Sequence, residues 1–360
     1  MYDKAIINGK VYINQSWKET NLYIKGEKIE LISDDLFDAK EVIDADGLEV
    51  LPGIIDPHVH FELDLGFIKS VDDFYTGSVA ALYGGITSYV DFLEPTDSVK
   101  ALERSYRERL SLAQKSVIDY HFHACIKNPK GDLEAYVIKM KELGMNTLKL
   151  FTTYSDSNRR TYDKEIIELL KLSKKYHFLI MAHIENDELI QLDPKFTYKD
   201  LTTSRPALSE LTEALKLAEY TKQTQGYMYM VHLSSGKTLE ALIHNYPDIL
   251  NKHFFVESCP QYFTFTEDAL KRKDGFLYTF APPLRTEQER QLLLKYHDAI
   301  YTIGTDHCAF MKKDKMKPTL HETPLGIGGI EHALGIMRYH LGDEAIEKMT
   351  ERVAFTQGLH

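Results

Sequence analysis

The sequence lacks several features that would each indicate a particular class of protein. No run of about 18 or more apolar residues occurs, so a membrane-spanning helix is not expected. The segment Met1-Tyr2-Asp3-Lys4 has neither the basic stretch nor the apolar run of a secretory signal, which favours a cytoplasmic location. Only three cysteines are present, scattered through apolar segments. We therefore expect reduced, mostly buried thiols and not a disulfide framework.

Basic stretches are also absent. The 54 acidic residues outnumber the 43 basic ones, which gives a net charge of −11 and a sequence pI of about 5.8. Binding to nucleic acid or to an anionic membrane requires a basic surface, so neither partner is expected. The 360 residues are 43% hydrophobic and 27% charged, which is typical of a globular protein that buries a sizeable core.

Residues 1–50 contain short strand patterns separated by turn signals. Two apolar strands flank Asn8-Gly9 and two more flank Lys25-Gly26-Glu27, and each arrangement is typical of a β-hairpin. The sequence therefore predicts a small antiparallel β module over this stretch.

From Leu51 onward, eight apolar segments of strand length alternate with segments of helical periodicity. Strands that alternate with helices indicate a parallel sheet, and eight such units predict an α/β protein built on a closed (β/α)8 TIM barrel. We expect the barrel to span residues 51–345 and a helical tail to follow over residues 346–360. The predicted strands cover residues 54–60, 86–92, 120–126, 147–151, 178–183, 227–232, 253–257 and 299–306.

Polar residues recur at the ends of these predicted strands. The first strand ends in His58 and His60, which share one face because side chains alternate along a strand. The fourth strand contains Lys149. The fifth, sixth and eighth strands end in further candidates, which are His183, His232 and Asp306. Active sites of such barrels lie at the carboxyl ends of the strands, so these side chains are expected near one rim. Four histidines and a carboxylate would suit zinc or a similar divalent cation.

Each of these residues also has a structural alternative. A single histidine at a strand end is more often hydrogen-bonded within the core, a lysine often extends to solvent, and an aspartate often caps a turn. The order in which the residues fall on one rim favours a metal site over independent structural roles. His121 and His123 repeat the spacing of His58 and His60. They lie at the start and middle of their strand, so we expect peripheral and core roles for them.

Seven segments resemble the cyclic amidohydrolases, the family of hydantoinase, dihydropyrimidinase, allantoinase and dihydroorotase. The resemblance runs from about Leu51 to the C-terminus. It is carried by LPGIIDPHVH at 51–60, TLKLF at 147–151, MAHIEN at 181–186, VHLSS at 231–235, ESCPQY at 257–262, PPLR at 282–285 and GTDHC at 304–308. The family implies two divalent metal ions, usually zinc. One would be bound by His58, His60 and Asp306, and the other by His183 and His232.

The resemblance further implies that Lys149 bridges the two ions as a carbamate formed with carbon dioxide, because a protonated ammonium has no lone pair for a metal. A hydroxide held by the ions would attack the ring carbonyl. Asp306 would take its proton and return it to the departing ring nitrogen, as general base and then general acid. Tyr154 matches the tyrosine that hydantoinase-like enzymes use to stabilise the oxyanion. Its structural alternative is a buried loop aromatic.

The implied reaction is the hydrolysis of a C–N bond in a hydantoin- or dihydropyrimidine-like cyclic ureide. Dihydroorotases usually place an arginine two residues after the second histidine, where this sequence has Glu62, which disfavours the anionic dihydroorotate. The segment Ser204-Arg205-Pro206 resembles hydantoinases. In that group backbone atoms hold the ring, and the matching positions lie around Ala281 and in the glycine-rich loop at Gly328. Allantoinase or dihydroorotase activity, and a non-catalytic scaffold related to dihydropyrimidinase, remain as alternatives.

Two further expectations come from the resemblance. Relatives form dimers or tetramers, so we expect a homo-oligomer. Relatives also return after the barrel to complete a small β-sandwich begun by the N-terminal strands, whereas this sequence stops at His360, where that return would start. The N-terminal module is therefore expected to be sandwich-like, with its C-terminal half apparently missing. The sequence leaves open which ring is the substrate and which stereoisomer is preferred.

Overall fold

The structure is a computed structural model that describes residues 1–359, so the last residue of the expected tail, His360, lies outside it. The chain divides into two compact units, one of residues 1–54 and a larger one that begins at Ile55. Among the helices of residues 1–359, none combines the length and the apolar composition that crossing a bilayer requires.

The smaller unit is a five-stranded mixed sheet with β1 in a central position. β2 pairs antiparallel with both β1 and β3, as the hairpin predicted around Gly26 requires. β4 and β5 run parallel to β1, so the prediction of a purely antiparallel module was wrong. The chain reaches the other edge of β1 by a crossover after β3. The strands are β1 (Tyr2–Ile13), β2 (Ser16–Lys25), β3 (Lys28–Ser33), β4 (Ala39–Asp44) and β5 (Glu49–Val50).

Asn8 and Gly9 form a bulge within β1 and not the turn that the sequence predicted. Asn8 has a left-handed φ of 56°, and the pairing with β2 changes register at this point. The bulged backbone is satisfied because the Asn8 N–H donates to Asn21 Oδ1 at 2.9 Å. The hairpin turns instead at Asn14 and Gln15, whose φ values of 47° and 61° match a two-residue turn.

The larger unit contains an eight-stranded parallel sheet that forms a nearly closed barrel, as predicted. The strands are hydrogen-bonded in chain order, and each overlaps one of the eight predicted segments. They are β6 (Ile54–Val59), β7 (Ile86–Phe92), β8 (Asp119–Cys125), β9 (Thr147–Phe151), β10 (Leu179–His183), β11 (Met228–Met230), β12 (Phe254–Ser258) and β13 (Thr302–Ile303).

The barrel closes through contacts between its first and last strands. Val59 forms a parallel bridge with His307, and the His60 N–H donates to the His307 carbonyl at 2.9 Å. The Asp56 carboxylate accepts hydrogen bonds from the Thr305 N–H at 3.1 Å and from Thr305 Oγ1 at 2.6 Å. These bonds hold β6 beside the segment that follows β13, so residues from the two ends of the sheet share one site.

Helices connect the barrel strands, as the alternation of apolar segments with segments of helical periodicity predicted. α1 begins after Asp73, whose side chain accepts from the Thr76 N–H in a capping box. The helices are α1 (Phe74–Tyr83), α2 (Val99–Ala113), α3 (Leu133–Glu142), α4 (Asp163–Tyr176), α5 (Leu201–Ser204), α6 (Ala207–Thr224), α7 (Gly236–Asn245), α8 (Pro260–Thr264), α9 (Glu287–Lys295), α10 (Lys312–Lys315), α11 (Ala333–Leu341), α12 (Glu344–Lys348) and α13 (Glu351–Gln357).

The barrel core is apolar apart from the polar groups that reach its carboxyl rim. One cluster of buried side chains comprises Phe92, Leu179, Met181, Tyr229, Val231 and Phe255. His123 is buried and contacts Thr147 Oγ1 and the Pro57 carbonyl, so it has the predicted core role, while His121 is exposed. All three cysteines are buried and free, as predicted.

Candidate metal centre and active site

One cavity of about 390 Å³ collects the polar residues found at the strand ends. It lies at the carboxyl ends of the strands, where barrel active sites are built. A separate cavity of about 430 Å³ lies where β8 and β9 begin and contains none of these residues. The lining of the first cavity includes His58, His60, Lys149, His183, His232 and Asp306, together with Tyr154 and Ala281.

Three of these cavity residues have a strained backbone. The φ angles of Tyr154, His232 and Asp306 are 68°, 41° and 52°, in the left-handed region that residues other than glycine rarely adopt. Each residue follows the end of a strand, so the unusual φ sets the direction in which the side chain leaves the barrel rim. Strain of this kind costs of order 1–3 kcal/mol per residue and clusters at functional sites.

His58, His60 and Asp306 form the tightest group in the cavity. Asp306 Oδ1 lies 3.2 Å from His58 Nε2 and 3.1 Å from His60 Nε2. The three potential ligand atoms all lie within 4.8 Å of one another, a spacing that a single cation can bridge. Burial opposes the charge on Asp306, but the facing imidazoles, His58 above all, hold its pKa well below the usual range.

Two buried carboxylates orient histidines of the site. His58 Nδ1 lies 2.8 Å from Glu257 Oε1, and His183 Nε2 lies 2.6 Å from Glu185 Oε2. Tyr229 donates its hydroxyl hydrogen to Glu257 at 2.8 Å, which fixes that carboxylate in turn. When one ring nitrogen donates to a carboxylate, the other keeps its lone pair for a metal, and the basicity of the imidazole increases.

Unpartnered nitrogen atoms indicate that this set of donors suits a metal ion. His232 Nδ1 is buried and has no hydrogen-bond partner among the described residues, and His58 Nε2 is buried with only the Asp306 carboxylate beside it, at 3.2 Å. Such atoms are rare because burial without a partner is costly, and a bound ion would remove that cost. Burial also holds the pKa of His232 well below its usual value, which favours the neutral form that binds metals. Imidazole and carboxylate groups are the usual donors to zinc.

Lys149 is buried in the same cavity, with 3% of its surface exposed. Its Nζ lies 4.9 Å from the ring centroid of Phe92 and 5.6 Å from that of Phe151. Burial disfavours the charged ammonium and lowers the pKa of Lys149 to about 8. A larger share of this amine is therefore uncharged at neutral pH than is the case for an exposed lysine.

Tyr154 is connected to His183 through a buried ion pair. The two rings lie 5.2 Å apart, and the guanidinium carbon of Arg205 lies 4.7 Å from the Tyr154 ring centroid. Arg205 also donates to Glu185, the carboxylate that orients His183. The resemblance singled out Arg205 only as part of a motif. Because Arg205 contacts both the Tyr154 ring and the carboxylate that orients His183, a displacement of one side chain would affect the other.

Of the two residues expected to hold the substrate ring, the structure places only Ala281 in the cavity lining. A side chain at Gly328 would meet Ala309 and the His307 ring, each at 3.6 Å, so this position packs against the closing segment of the barrel. Gly326, from the same loop, lines the cavity instead. A substrate contact at Gly328 stays a prediction, because a glycine-rich loop gives no side-chain signal for which backbone atoms face a bound ring.

Glu62 lies outside the residues that line the cavity. Its Oε2 is 4.0 Å from Lys115 Nζ, and its carbonyl oxygen accepts from Arg109. The backbone φ of 46° at Glu62 lies in the left-handed region, at a point where the chain has already left the strand. The position of its carboxylate therefore gives no support to the expectation that Glu62 repels an anionic substrate.

A second group of potential ligands, His297, Asp298 and Glu344, lies outside this cavity. Glu344 is already paired with Lys348 at 2.9 Å and with Arg352 at 3.5 Å. This group is a salt-bridge network in which the cationic side chains occupy the carboxylate.

Four charged residues of the site region had no role predicted from the sequence: Glu185, Glu257, Lys127 and Arg159. Glu185 and Glu257 had a detectable signal, because each is an acidic residue inside an otherwise apolar, strand-like stretch, where a carboxylate needs a partner. Lys127 and Arg159 line the cavity mouth without any such signal. They lie in loops of mixed composition, where a basic residue is ordinary.

The chain belongs to the amidohydrolase family, whose sequence profile matches residues 50–317. The match covers most of the barrel. It includes the six cavity residues predicted as metal ligands: His58, His60, Lys149, His183, His232 and Asp306. Divalent metal ions are typical of this family.

Hydantoinases and a dihydropyrimidinase are among the similar proteins. A D-phenylhydantoinase from Escherichia coli is 31% identical over 332 residues, which are 86% of this chain and 70% of that protein. A D-hydantoinase from Geobacillus stearothermophilus is 31% identical over 326 residues, 85% of this chain and 67% of that protein. A crystal structure of a dihydropyrimidinase from Brevibacillus agri superposes with a TM-score of 0.91 at 26% identity, covering 99% of this chain and 82% of that one.

Proposed function

We propose that this protein hydrolyses a C–N bond in a cyclic ureide of the hydantoin or dihydropyrimidine type, with the help of two divalent cations. The observation that carries the proposal is the convergence of four histidines, Lys149 and Asp306 on one cavity. Similarity to hydantoinases over most of the chain supports the same reaction class, since these relatives are hydrolases of cyclic amides.

We assign His58, His60 and Asp306 to one ion, and His183 and His232 to the other. The short distances from Asp306 to His58 and His60 support the first group. The 4.6 Å between the ring centroids of His183 and His232 supports the second. When bound, two divalent cations such as zinc, which these donors suit, would supply an acidified water and polarise an amide carbonyl. Lys149 would lie between the two groups as a carbamate.

The protein's own proton carrier in this proposal is Asp306. Water adds to the ring carbonyl carbon, and the carboxylate of Asp306 accepts the proton that the water loses. The same proton then passes to the ring nitrogen as the C–N bond breaks, because an amide nitrogen leaves poorly unless it is protonated. The low pKa of Asp306 keeps it available as a base before the reaction starts.

Tyr154 is the proposed donor to the oxyanion that forms on the carbonyl oxygen. It lines the cavity, and burial raises the pKa of its hydroxyl, so the group remains protonated at neutral pH. The nearby Arg205 guanidinium favours developing negative charge on the phenolic oxygen, which strengthens the hydroxyl as a hydrogen-bond donor.

The variant Tyr154→Phe is expected to lower kcat for ring opening by about 10²–10³-fold, because it removes one preorganised donor to the oxyanion. Phenylalanine keeps the ring beneath Arg205, so the bound metal content, measured by elemental analysis, should not change. Tyr162→Phe, at a tyrosine that is 48% exposed, is the matched control and should retain full activity. A Tyr154→Phe variant with unchanged kcat would remove this residue from the mechanism.

Ring-opening rates of the zinc-loaded protein test the proposal as a whole. The substrates are dihydrouracil, a 5-substituted hydantoin, allantoin and dihydroorotate, with the ring-opened product quantified by chromatography and metal content measured in parallel. We expect two metal ions per chain and hydrolysis of the first two rings. Activity confined to allantoin or dihydroorotate would keep the reaction class but contradict the ring assignment.

Two other outcomes would overturn the proposal. Two bound metal ions without hydrolysis of any ring would indicate a different amide, and failure to bind metal would favour the scaffold alternative. A homo-oligomeric state and a cytoplasmic location remain predictions that size-exclusion chromatography with light scattering and cell fractionation can test.

A further inference from the structure

The mouth of the cavity carries two cations that the proposed mechanism does not use. Lys127 follows β8 and Arg159 follows β9, and both side chains are half-buried and line the same cavity as Tyr154. The guanidinium carbon of Arg159 lies 5.8 Å from the Tyr154 ring centroid. This places Arg159 beside the end of the cavity at which the carbonyl of a bound ring would lie.

Neither mouth cation forms an ion pair with a described residue. Within residues 1–359, no carboxylate lies within 4.0 Å of Lys127 Nζ or of the Arg159 guanidinium. The neighbouring cations differ in this respect. Arg160 is paired with Asp187 at 3.2 Å and with Glu188 at 3.1 Å, and Arg205 is paired with Glu185. Asp187, Glu188 and Glu185 are therefore paired with other cations, and Lys127 and Arg159 form no ion pair among the described residues.

Two acidic residues also line the cavity, and they do not balance this charge. Asp64 is engaged by Lys69 at 3.3 Å and accepts from the Gly66 N–H at 2.8 Å. Glu94 has no cation within 4.0 Å among the described residues; burial raises its pKa, while the more distant Arg109 and Arg159 lower it, so this single carboxylate offsets only part of the charge of the two cations. The mouth therefore has an excess of positive charge in partly desolvated surroundings, where charge-assisted hydrogen bonds are strong.

The two cations lie close enough to act on the same thiol. Burial raises the pKa of Cys125 to about 12, and the charges of Lys149, Arg159 and Lys127 oppose this rise. Cys125 lines the cavity at the end of β8. The same lining also has apolar side chains, among them Leu63, Leu65, Leu93 and Phe151. A short hydrocarbon arm would pack on these side chains, and an anionic group at its end would meet the cations.

We propose that Lys127 and Arg159 determine substrate specificity by binding a carboxylate on the exocyclic substituent of the ring. This inference rests on the proposed function and adds the class of substrate: a cyclic ureide whose side chain ends in a carboxylate. Arg159 can donate two parallel hydrogen bonds to the carboxylate, and Lys127 adds a point charge.

A matched pair of substrates tests the proposal. 5-(2-Carboxyethyl)hydantoin and 5-(2-carbamoylethyl)hydantoin have nearly the same shape and differ in charge. We expect kcat/KM for the carboxylate to exceed that for the carboxamide by about 10-fold or more, mainly through KM. The ratio should fall as ionic strength rises, because salt screens the attraction.

Variants of the mouth residues locate the effect. Arg159→Gln and Lys127→Gln should each lower the carboxylate-to-carboxamide ratio by about 10-fold, and the double variant should bring it near one. Arg159→Lys should restore part of the preference, because it restores the charge without the bidentate geometry. Lys130→Gln is the matched control, since this exposed lysine lies three residues from Lys127 and outside the cavity lining, and its ratio should equal that of the unaltered protein.

The outcomes separate this inference from the proposed function. If the carboxamide is opened as well as the carboxylate, or if the Gln variants leave the ratio unchanged, the specificity role is contradicted while the ring-opening reaction stands. If neither hydantoin is opened and the four rings tested above are also inert, the proposed function itself fails.

Discussion

Replacing Asp306 with asparagine is expected to abolish ring opening, with kcat/KM reduced by at least about 1,000-fold. General acid–base catalysis contributes about 10²–10⁴-fold on its own, and Asp306 is proposed both to carry the proton and to bind one ion. Asparagine is the informative substitute because it adopts the left-handed φ of 52° at this position more readily than alanine does. It also preserves an oxygen near His58 and His60.

Metal content and folding distinguish the two roles of Asp306. We expect the asparagine variant to show the thermal unfolding profile of the unaltered protein and to retain at least the ion assigned to His183 and His232. Asp298→Asn, at a side chain that is 87% exposed, removes the same charge far from the cavity and should be fully active. An Asp306→Asn variant that binds both ions and keeps a tenth of its activity or more would rule out the proton carrier.

The barrel could be predicted because its signal is repeated eight times. Most of the strands are largely buried segments rich in apolar residues, and the alternation with helices is visible even where individual boundaries shift. β13 illustrates the limit: the prediction extended over 299–306, whereas the strand covers Thr302–Ile303 and the following residues leave the sheet. Asp306 was nevertheless placed at the correct rim, because barrel topology fixes the end at which each strand finishes.

The features that could not be predicted depend on local backbone conformation. Asn8-Gly9 has the composition of a turn, but tertiary pairing of β1 with β2, β4 and β5 keeps the strand continuous and leaves a bulge. Glu62 follows the histidine pair directly in sequence, yet its positive φ and its contact near Lys115 take the carboxylate away from the cavity. Spacing along the chain identifies which residues share a rim, while the direction of a loop side chain depends on contacts with distant elements.

Lys149→Ala is expected to lower activity about as strongly as Asp306→Asn and to reduce the number of bound metal ions. The proposed carbamate forms when the uncharged Nζ attacks the carbon of carbon dioxide, which creates an N–C bond and releases one proton to solvent. The side chain of Lys149 thereby changes from a cationic ammonium to an anionic carbamate with two oxygen donors. Beside histidines with unpartnered nitrogens, a buried ammonium would repel a divalent cation, whereas the carbamate would attract it.

Added carboxylates supply the sharpest test of this assignment. In Lys149→Ala the space of the side chain is vacant, so millimolar formate, acetate or propionate should supply the missing oxygen donors and restore a measurable part of both activity and metal content. Lys149→Arg should not respond, because arginine fills the space and stays protonated. Lys171→Ala, at an exposed lysine on α4, is the control for the loss of a charge and should behave as the unaltered protein.

Direct detection of the carbamate completes the argument about Lys149. Metal-free protein reconstituted with zinc in buffer depleted of carbon dioxide should regain little activity until bicarbonate is added, and ¹³C-labelled bicarbonate should give a carbamate resonance that is absent in Lys149→Arg. Full reconstitution without carbon dioxide, or an active Lys149→Arg variant, would mean that the amine itself acts in the cavity. In that case the pKa of about 8 for Lys149 would describe a group that functions uncharged, and the two ions would have to be bridged by another ligand.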